Sequence, residues 1–181
     1  MEHRSTSASC MDTLHTQRLI LRPLTQSDAM DLFGARFDAE VMEFWDGPPD
    51  ATRSATIAIV DIFLSDVLSG AARYWTIRLG HDGSFAGVCD LSEIRNGESA
   101  DIGFMLLRSF WGLGFGNEVV GRLLEFAKSL GLKLVTARIH AGNTRSERLL
   151  QKTGFQLVEV ISNYEIRPGV FRDCLRFEAK L

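Results

Sequence analysis

One stretch, from Asp101 to Gly131, narrows the folds open to this 181-residue chain more than any other. It opens with the strand-like run Asp101-Ile102-Gly103-Phe104-Met105-Leu106-Leu107. Next comes Trp111-Gly112-Leu113-Gly114-Phe115-Gly116-Asn117-Glu118, and then an amphipathic run that ends at Gly131. The pattern predicts a strand, a glycine-rich turn and a helix. Alternating glycines allow positive φ and close approach of a ligand to the backbone. Because the turn opens directly into a helix, its unbonded N–H groups and the positive helix end converge on one spot. Such a spot binds anions, phosphate above all. A dinucleotide fingerprint would need Gly-x-Gly-x-x-Gly inside a βαβ unit, and a P-loop would need Gly-Lys-Ser/Thr; neither occurs here.

Around this stretch the chain alternates between the two periodicities. Arg18 to Leu24 predicts a first strand, and Thr25 or Ser27 can cap a helix through Ala29, Leu32 and Phe33. Asp38 to Trp45 is a short segment carrying Val41, Met42, Phe44 and Trp45, stopped by Asp46-Gly47-Pro48-Pro49. Apolar residues recur at helical spacing from Thr52 to Leu68, with Gly70 closing that helix. Tyr74–Leu79, Phe85–Leu91 and Asp101–Leu107 predict an antiparallel meander, turned at Gly80-His81-Asp82-Gly83 and at Asn96-Gly97. In the helix after the glycine turn, Val119, Val120, Leu123, Leu124, Ala127 and Leu130 form one face, and Gly131 caps it. Leu132–His140 reads as a strand, and a short helix from Asn143 or Thr144 runs to Gly154. Phe155–Ile166 and Val170–Leu181 form a hairpin about Arg167-Pro168-Gly169. The sum is an α+β fold, a mostly antiparallel sheet covered by helices, in one domain from 13 to 181. Residues 1–12 are polar and Ser-rich and are expected to form a flexible tail with no secretion signal.

Composition excludes some classes. The net charge of −3, with no basic block, disfavours nucleic-acid binding. No apolar run approaches the roughly 20 residues of a membrane span. Cys10, Cys89 and Cys174 have no paired spacing; Cys89 and Cys174 fall in apolar runs and read as buried thiols, as suits a reducing cytoplasm. No His/Cys/Asp/Glu grouping has metal-ligand spacing, so no metal is expected. His81 falls in a turn, His3 and His15 near the N-terminus, and His140 at a strand end, where packing or surface is the expected role.

Trp111 to Gly116 resembles the acyl-CoA pyrophosphate loop of the GNAT acetyltransferases, Gln/Arg-x-x-Gly-x-Gly/Ala, with Gly114 and Gly116 on the glycine positions. A Trp-Gly pair at Trp111-Gly112 is similar to the RimJ/RimL branch, which modifies protein N-termini. Asn143-Thr144-Arg145-Ser146, Leu149-Leu150 and Gly154-Phe155 resemble that branch's second block, in the same order and spacing. The resemblance implies a GNAT-like fold in which the strands at 101–107 and 132–140 splay apart and the pantetheine arm of acetyl-CoA lies between them. It implies a backbone N–H at Met105 or Leu106 on the thioester carbonyl. Trp111, Gly112, Leu113, Gly114, Phe115, Gly116 and Asn117 would hold the pyrophosphate, with Asn143 and Ser146 near the arm and the sulfur. Acidic Glu118 would then have to point outward.

The acceptor amine must be neutral to attack. A chain-terminal amine, with pKa about 7.8, is easier to deprotonate than a lysine near 10.4 by roughly 3.4 kcal/mol. A modest base therefore suffices, and Asp101, Glu93, Asp90 and Glu98 are the candidates, with Asp101 and Glu93 foremost. Asp101 stands where the branch often has Glu; being one methylene shorter, it would act through a bridging water. Ser146 is the candidate acid, since the resemblance puts it near the sulfur; the family's usual Tyr has no match here in Tyr74 or Tyr164. Phe44 and Trp45 are candidates for the acceptor wall. The expected function is acetyl transfer from acetyl-CoA to a protein or peptide N-terminus. The alternatives are a small amine (aminoglycoside, polyamine or amino acid) or a non-catalytic acyl-CoA-binding module. Oligomeric state, monomer or homodimer, is left open.

Overall fold

Two unequal apolar surfaces, written into alternating strand residues, set the architecture. The computed structural model describes residues 12–181. Its elements in chain order are β1 (Leu14–His15), β2 (Leu19–Pro23), α1 (Ala29–Arg36), α2 (Arg53–Ser69), β3 (Arg73–Leu79), β4 (Phe85–Arg95), β5 (Ser99–Leu106), α3 (Phe115–Ser129), β6 (Leu134–His140), α4 (Thr144–Lys152), β7 (Gln156–Arg167) and β8 (Val170–Lys180). The strands form one sheet in the order β1-β2-β3-β4-β5-β6-β8-β7. Every neighbouring pair is antiparallel except β5–β6, which is parallel and spans the crossover through α3. This is the expected mixed, mostly antiparallel sheet covered by helices.

One sheet face packs α3 and α4. Trp75, Ile77, Leu91, Ile102, Val135 and Phe177 meet Val119, Leu123, Ala127 and Leu150 there. Trp75 is fully buried and stands edge-on to Phe126 at 5.4 Å. Truncating such a residue costs about 3–5 kcal/mol. The other face carries α1 and α2, with Leu32, Ala35 and Val60 on Val88 and Met105.

The expected helix face of α3 is buried at Val119, Val120, Leu123 and Ala127, but Leu130 is 41% exposed. Leu130 follows the last helical residue, where the chain turns off the sheet through Gly131 at φ +81°. Asp12, assigned from sequence to the tail, is tied down: its carbonyl accepts the Trp75 indole N–H at 2.9 Å. The tail expected over 1–11, with His3 and Cys10, lies outside the described residues. Cys89 and Cys174 are buried free thiols, as expected. No helix among the described residues is long and apolar enough to cross a membrane.

The segment between α1 and α2 has almost no regular structure, yet it is clamped at its base. Arg36 donates to both oxygens of Asp50 at 2.7 and 2.9 Å, Thr56 donates to the same carboxylate at 2.6 Å, and the Asp50 N–H returns to the Arg36 carbonyl at 2.9 Å. Burial alone would raise the Asp50 carboxyl; the bonds from Arg36 and Thr56 outweigh it and hold the group below its usual range. The clamp fixes the loop bearing Phe44, Trp45 and Asp46. Thr52 then caps α2, accepting from the Ala55 N–H at 3.3 Å.

Candidate active site

β5 and β6 are hydrogen-bonded neighbours at only three positions, Ser99↔Leu134, Ala100↔Val135 and Asp101↔Thr136. Both strands continue beyond that point, to Leu106 and His140, and they part. The backbone facing the gap follows from alternation, because successive peptide groups of a strand face opposite edges. The Leu107 N–H goes to the Ala86 carbonyl beside β4, and the Glu98 carbonyl accepts from Lys133 at the start of β6. Even-numbered amides of β5, those of Ile102, Phe104 and Leu106, therefore face the gap. The Met105 amide faces β4, so of the two expected donors to a thioester only Leu106 is aimed at the opening. On β6, the Leu181 N–H bonds the Lys133 carbonyl and the Ala141 N–H bonds Asp173 on the β8 side, which leaves the amides of Arg138 and His140 facing the gap. Two such strand edges suit an extended partner rich in amides.

At the wide end of the gap lies the glycine turn. Gly112 and Gly114 hold φ of +74° and +82°, which side chains other than glycine rarely adopt. The turn delivers the chain into α3 with the N–H groups of residues 112–116 donating to no acceptor among the described residues. A Cβ at Gly116 would overlap Leu149, so that glycine also lets α4 close on α3. A cleft of about 490 Å³ lies against the turn, lined by Phe104, Met105, Leu106, Trp111, Gly112, Gly114, Phe115, Gly116, Asn117, Asn143 and Ser146. Leu113 is not part of the lining; its carbonyl accepts from Arg18 at 3.0 Å. Glu118 turns out of the cleft, taking bonds from Thr16 Oγ1 at 2.6 Å and from Arg18. These bonds outweigh its partial burial and keep its carboxyl below the usual range. Asn117 Oδ1 is buried with no partner among the described residues, an acceptor that a ligand N–H would satisfy.

Residues not singled out from sequence complete this cleft. Arg145, Arg148 and Lys152 all line it from α4, at helical spacings of three and four. None of the three is in an ion pair among the described residues. The Arg145 guanidinium lies over the Trp111 ring, 3.8 Å from its centroid, and the Trp111 indole N–H bonds the Leu106 carbonyl at 2.9 Å. The signal was present as cations on one helical face, but nothing in the sequence says which face meets the turn. The cleft thus offers backbone amides, an orphan acceptor and three free cations. That donor set fits the pyrophosphate, the pantetheine amides and the further phosphate of acetyl-CoA.

A second cavity of about 150 Å³ adjoins the first. Phe44, Trp45, Phe104, Asn143 and Ser146 line both, and so mark their junction. Asn143 Oδ1 caps α4 by accepting the Ser146 N–H at 3.2 Å. The Ser146 hydroxyl has no protein partner among the described residues and is left for a ligand. The rest of the second cavity includes Gly103, Asp46, Arg138 and His140. Asp46 accepts from Arg138 at 2.7 Å and pairs with His140 Nε2 at 2.8 Å, and Arg167 donates to its carbonyl at 2.7 Å. Burial alone would raise the Asp46 carboxyl; the bonds from His140 and Arg138 outweigh it and hold it at about 2. His140, expected to have a packing or surface role, is 2% exposed and makes this contact with Asp46.

The candidate bases are distributed differently. Asp101 is held by Thr136 Oγ1 and by Arg95 at 3.2 Å, and it lines neither cavity. Glu93 is exposed, paired with Arg95, and not brought to the cleft; Glu98 pairs with Lys133 at the surface. Asp90 lies over Gly103: its Oδ1 would be 2.5 Å from a Cβ there. Burial, outweighing the hydrogen bond from Ser92 and reinforced by the Asp101 charge, pushes its carboxyl up to about 6.

Residues 18–156 match the family profile of the acetyltransferase (GNAT) domain. The chain is 31% identical over 170 residues, covering 92% of itself and 95% of the relative, to an uncharacterized N-acetyltransferase, p20, of Bacillus licheniformis. Among solved structures it resembles RimL, a ribosomal L7/L12 alpha-N-protein acetyltransferase, with a TM-score of 0.84 at 18% identity, covering 98% of both chains. It also resembles a spermidine N-acetyltransferase from Vibrio cholerae in complex with CoA and spermine, with a TM-score of 0.79 at 18% identity, covering 91% of this chain and 96% of that one. At these identities the two structures bear on the fold.

Proposed function

The chain belongs to the GNAT acetyltransferase family, and from that premise we propose that it moves an acetyl group directly from acetyl-CoA to the α-amine of a protein or peptide. The observation that carries the choice of acceptor is the charge lining the two cavities. Their carboxylates, Glu40 and Asp46, are both already ion-paired, to Arg108 and to Arg138. Against them stand Arg138, Arg145, Arg148 and Lys152. A polyamine or aminoglycoside brings several positive charges and needs a row of free carboxylates. A peptide brings one amine at its terminus and otherwise neutral backbone. The likeness to RimL supports the same acceptor, and the likeness to the spermidine enzyme keeps the small amine as its rival.

In this reading the thioester arm pairs with the free edges of β5 and β6, and its carbonyl receives the Leu106 N–H. That donor is fixed before reaction, so it stabilises negative charge on the oxygen without reorganising. The glycine-turn amides and the α3 N-terminus hold the pyrophosphate. Arg145, Arg148 and Lys152 take the outer phosphate charge. Acceptor and thioester meet at the junction of the cavities, under Phe44 and Trp45. There the free Ser146 hydroxyl gives its proton to the departing sulfur. Asp101, held by two donors, acts through field and water.

Competition tests this. The protein is incubated with acetyl-CoA and an equimolar mixture of a peptide with a free N-terminus, the same peptide N-terminally blocked but carrying an internal lysine, spermidine and an aminoglycoside. Products are read by mass spectrometry. The proposal expects acetylation of the free N-terminus at least about tenfold faster than of any other amine. Dominant acetylation of spermidine or the aminoglycoside would overturn it.

A further inference from the structure

We infer that His140, held by Asp46, is the base that takes the proton from the acceptor amine. The inference rests on the acetyltransferase reading and adds a residue to it. His140 is 2% exposed, lines the second cavity, and has a side-chain nitrogen, Nδ1, buried with no partner among the described residues. Its other nitrogen is committed: Nε2 lies 2.8 Å from Asp46 Oδ1. Asp46 is an anion, bonded by Arg138, so it only accepts. Nε2 must then carry the hydrogen, and Nδ1 of the neutral ring keeps its lone pair. A buried lone pair without a donor is costly, and the N–H of an amine drawn in against the ring would satisfy it.

Placement agrees. Extending the register of Asp101↔Thr136 sets His140 level with Met105, beside the gap-facing Leu106 amide. The side chain shares the sheet face of Asp101 and Thr136, under the loop that carries Asp46. As the N–C bond forms, the amine proton passes to Nδ1 and the imidazolium is stabilised by Asp46, an arrangement of base and orienting carboxylate. As the C–S bond breaks, the Ser146 hydroxyl, which lines the same cavity, protonates the departing sulfur and is restored by the proton on Nδ1, which leaves amide, thiol and neutral ring. The charged and titratable groups around the ring are Asp46 from the loop, Arg138 on β6, Cys174 on β8 opposite His140, and Arg167 and Tyr164 from β7.

Two measurements test it. Imidazole nitrogen NMR on wild-type protein at neutral pH needs no acceptor; the inference requires a protonated Nε2 and an unprotonated Nδ1, and the opposite tautomer overturns it. The pH dependence of kcat is then measured with the N-terminal peptide for wild type, His140→Gln, Asp46→Asn and Asp90→Asn, with acetyl-CoA affinity measured alongside. In His140→Gln, kcat is expected to fall about 10²–10⁴-fold and lose its acidic limb. Acetyl-CoA binding should stay within about threefold. Asp46→Asn should lower kcat in the same direction, and Asp90→Asn should retain the limb. A limb that survives in His140→Gln, or disappears in Asp90→Asn, overturns the assignment. If the peptide is inert but another amine reacts, the acceptor reading fails, and the same four proteins are compared with that amine.

Discussion

At Asp90 two demands of the sheet conflict. The side chain lies on the face shared with Met105, over Gly103, and only glycine leaves it room. Burial and the nearby Asp101 raise its carboxyl to about 6, so the folded state holds a proton that the unfolded chain releases near pH 4. Between these values the native state binds more protons, and stability falls as pH rises. Above pH 6 the full cost is present. Asp90→Asn should therefore stabilise the protein by roughly 1–3 kcal/mol at pH 8 and by little at pH 4, read from denaturant midpoints at both pH values. An equal effect at both pH values would contradict the assignment. Sequence placed Asp90 among four possible bases, behind Asp101 and Glu93. Asp90, Asp101 and Gly103 acquire their relation only through the β4–β5 register, and Glu93 leaves the cleft through its pairing with Arg95.

At the scale of elements, what was legible depended on how local the cause was. The strand, glycine turn and α3 were legible because φ, capping and periodicity act within a few residues. The order of β7 and β8 was not, since two strands of one hairpin carry no mark of which pairs with β6. The wall of the second cavity was half legible: Phe44 and Trp45 stood out, but the Asp46–His140 contact joins residues 94 apart. Helix α4 shows the same division. Its block was recognisable through Asn143, Ser146 and Leu149-Leu150, yet its cationic stripe was overlooked. Exposed charge pairs are each worth about 1 kcal/mol or less, and more with a doubly charged phosphate. Replacing Arg148 and Lys152 together by Ala should weaken acetyl-CoA binding about 5–30-fold. It should also flatten the salt dependence of binding and narrow the preference for acetyl-CoA over its form lacking the ribose phosphate. Unchanged affinity and salt response would remove these side chains from the cofactor site.

Across the whole molecule, the parallel pair β5–β6 is the one break in an otherwise antiparallel sheet, and the working cleft opens there. Helix α3 must cross from one strand to the other, so its N-terminus comes to rest at the mouth of the gap. The loop between α1 and α2 approaches from the opposite face, clamped by Arg36 and Asp50. The two cavities are therefore built largely on different elements and meet at Phe44, Trp45, Phe104, Asn143 and Ser146. The most direct test is calorimetric titration of acetyl-CoA into the wild-type protein and into Gly114→Glu, which places a side chain at φ +82° and a carboxylate in the anion site. The account predicts one molecule bound per chain by wild type, and loss of at least about a hundredfold in affinity by a variant that remains folded. A folded wild-type protein that binds no acetyl-CoA, or a variant that binds it equally well, would contradict the account.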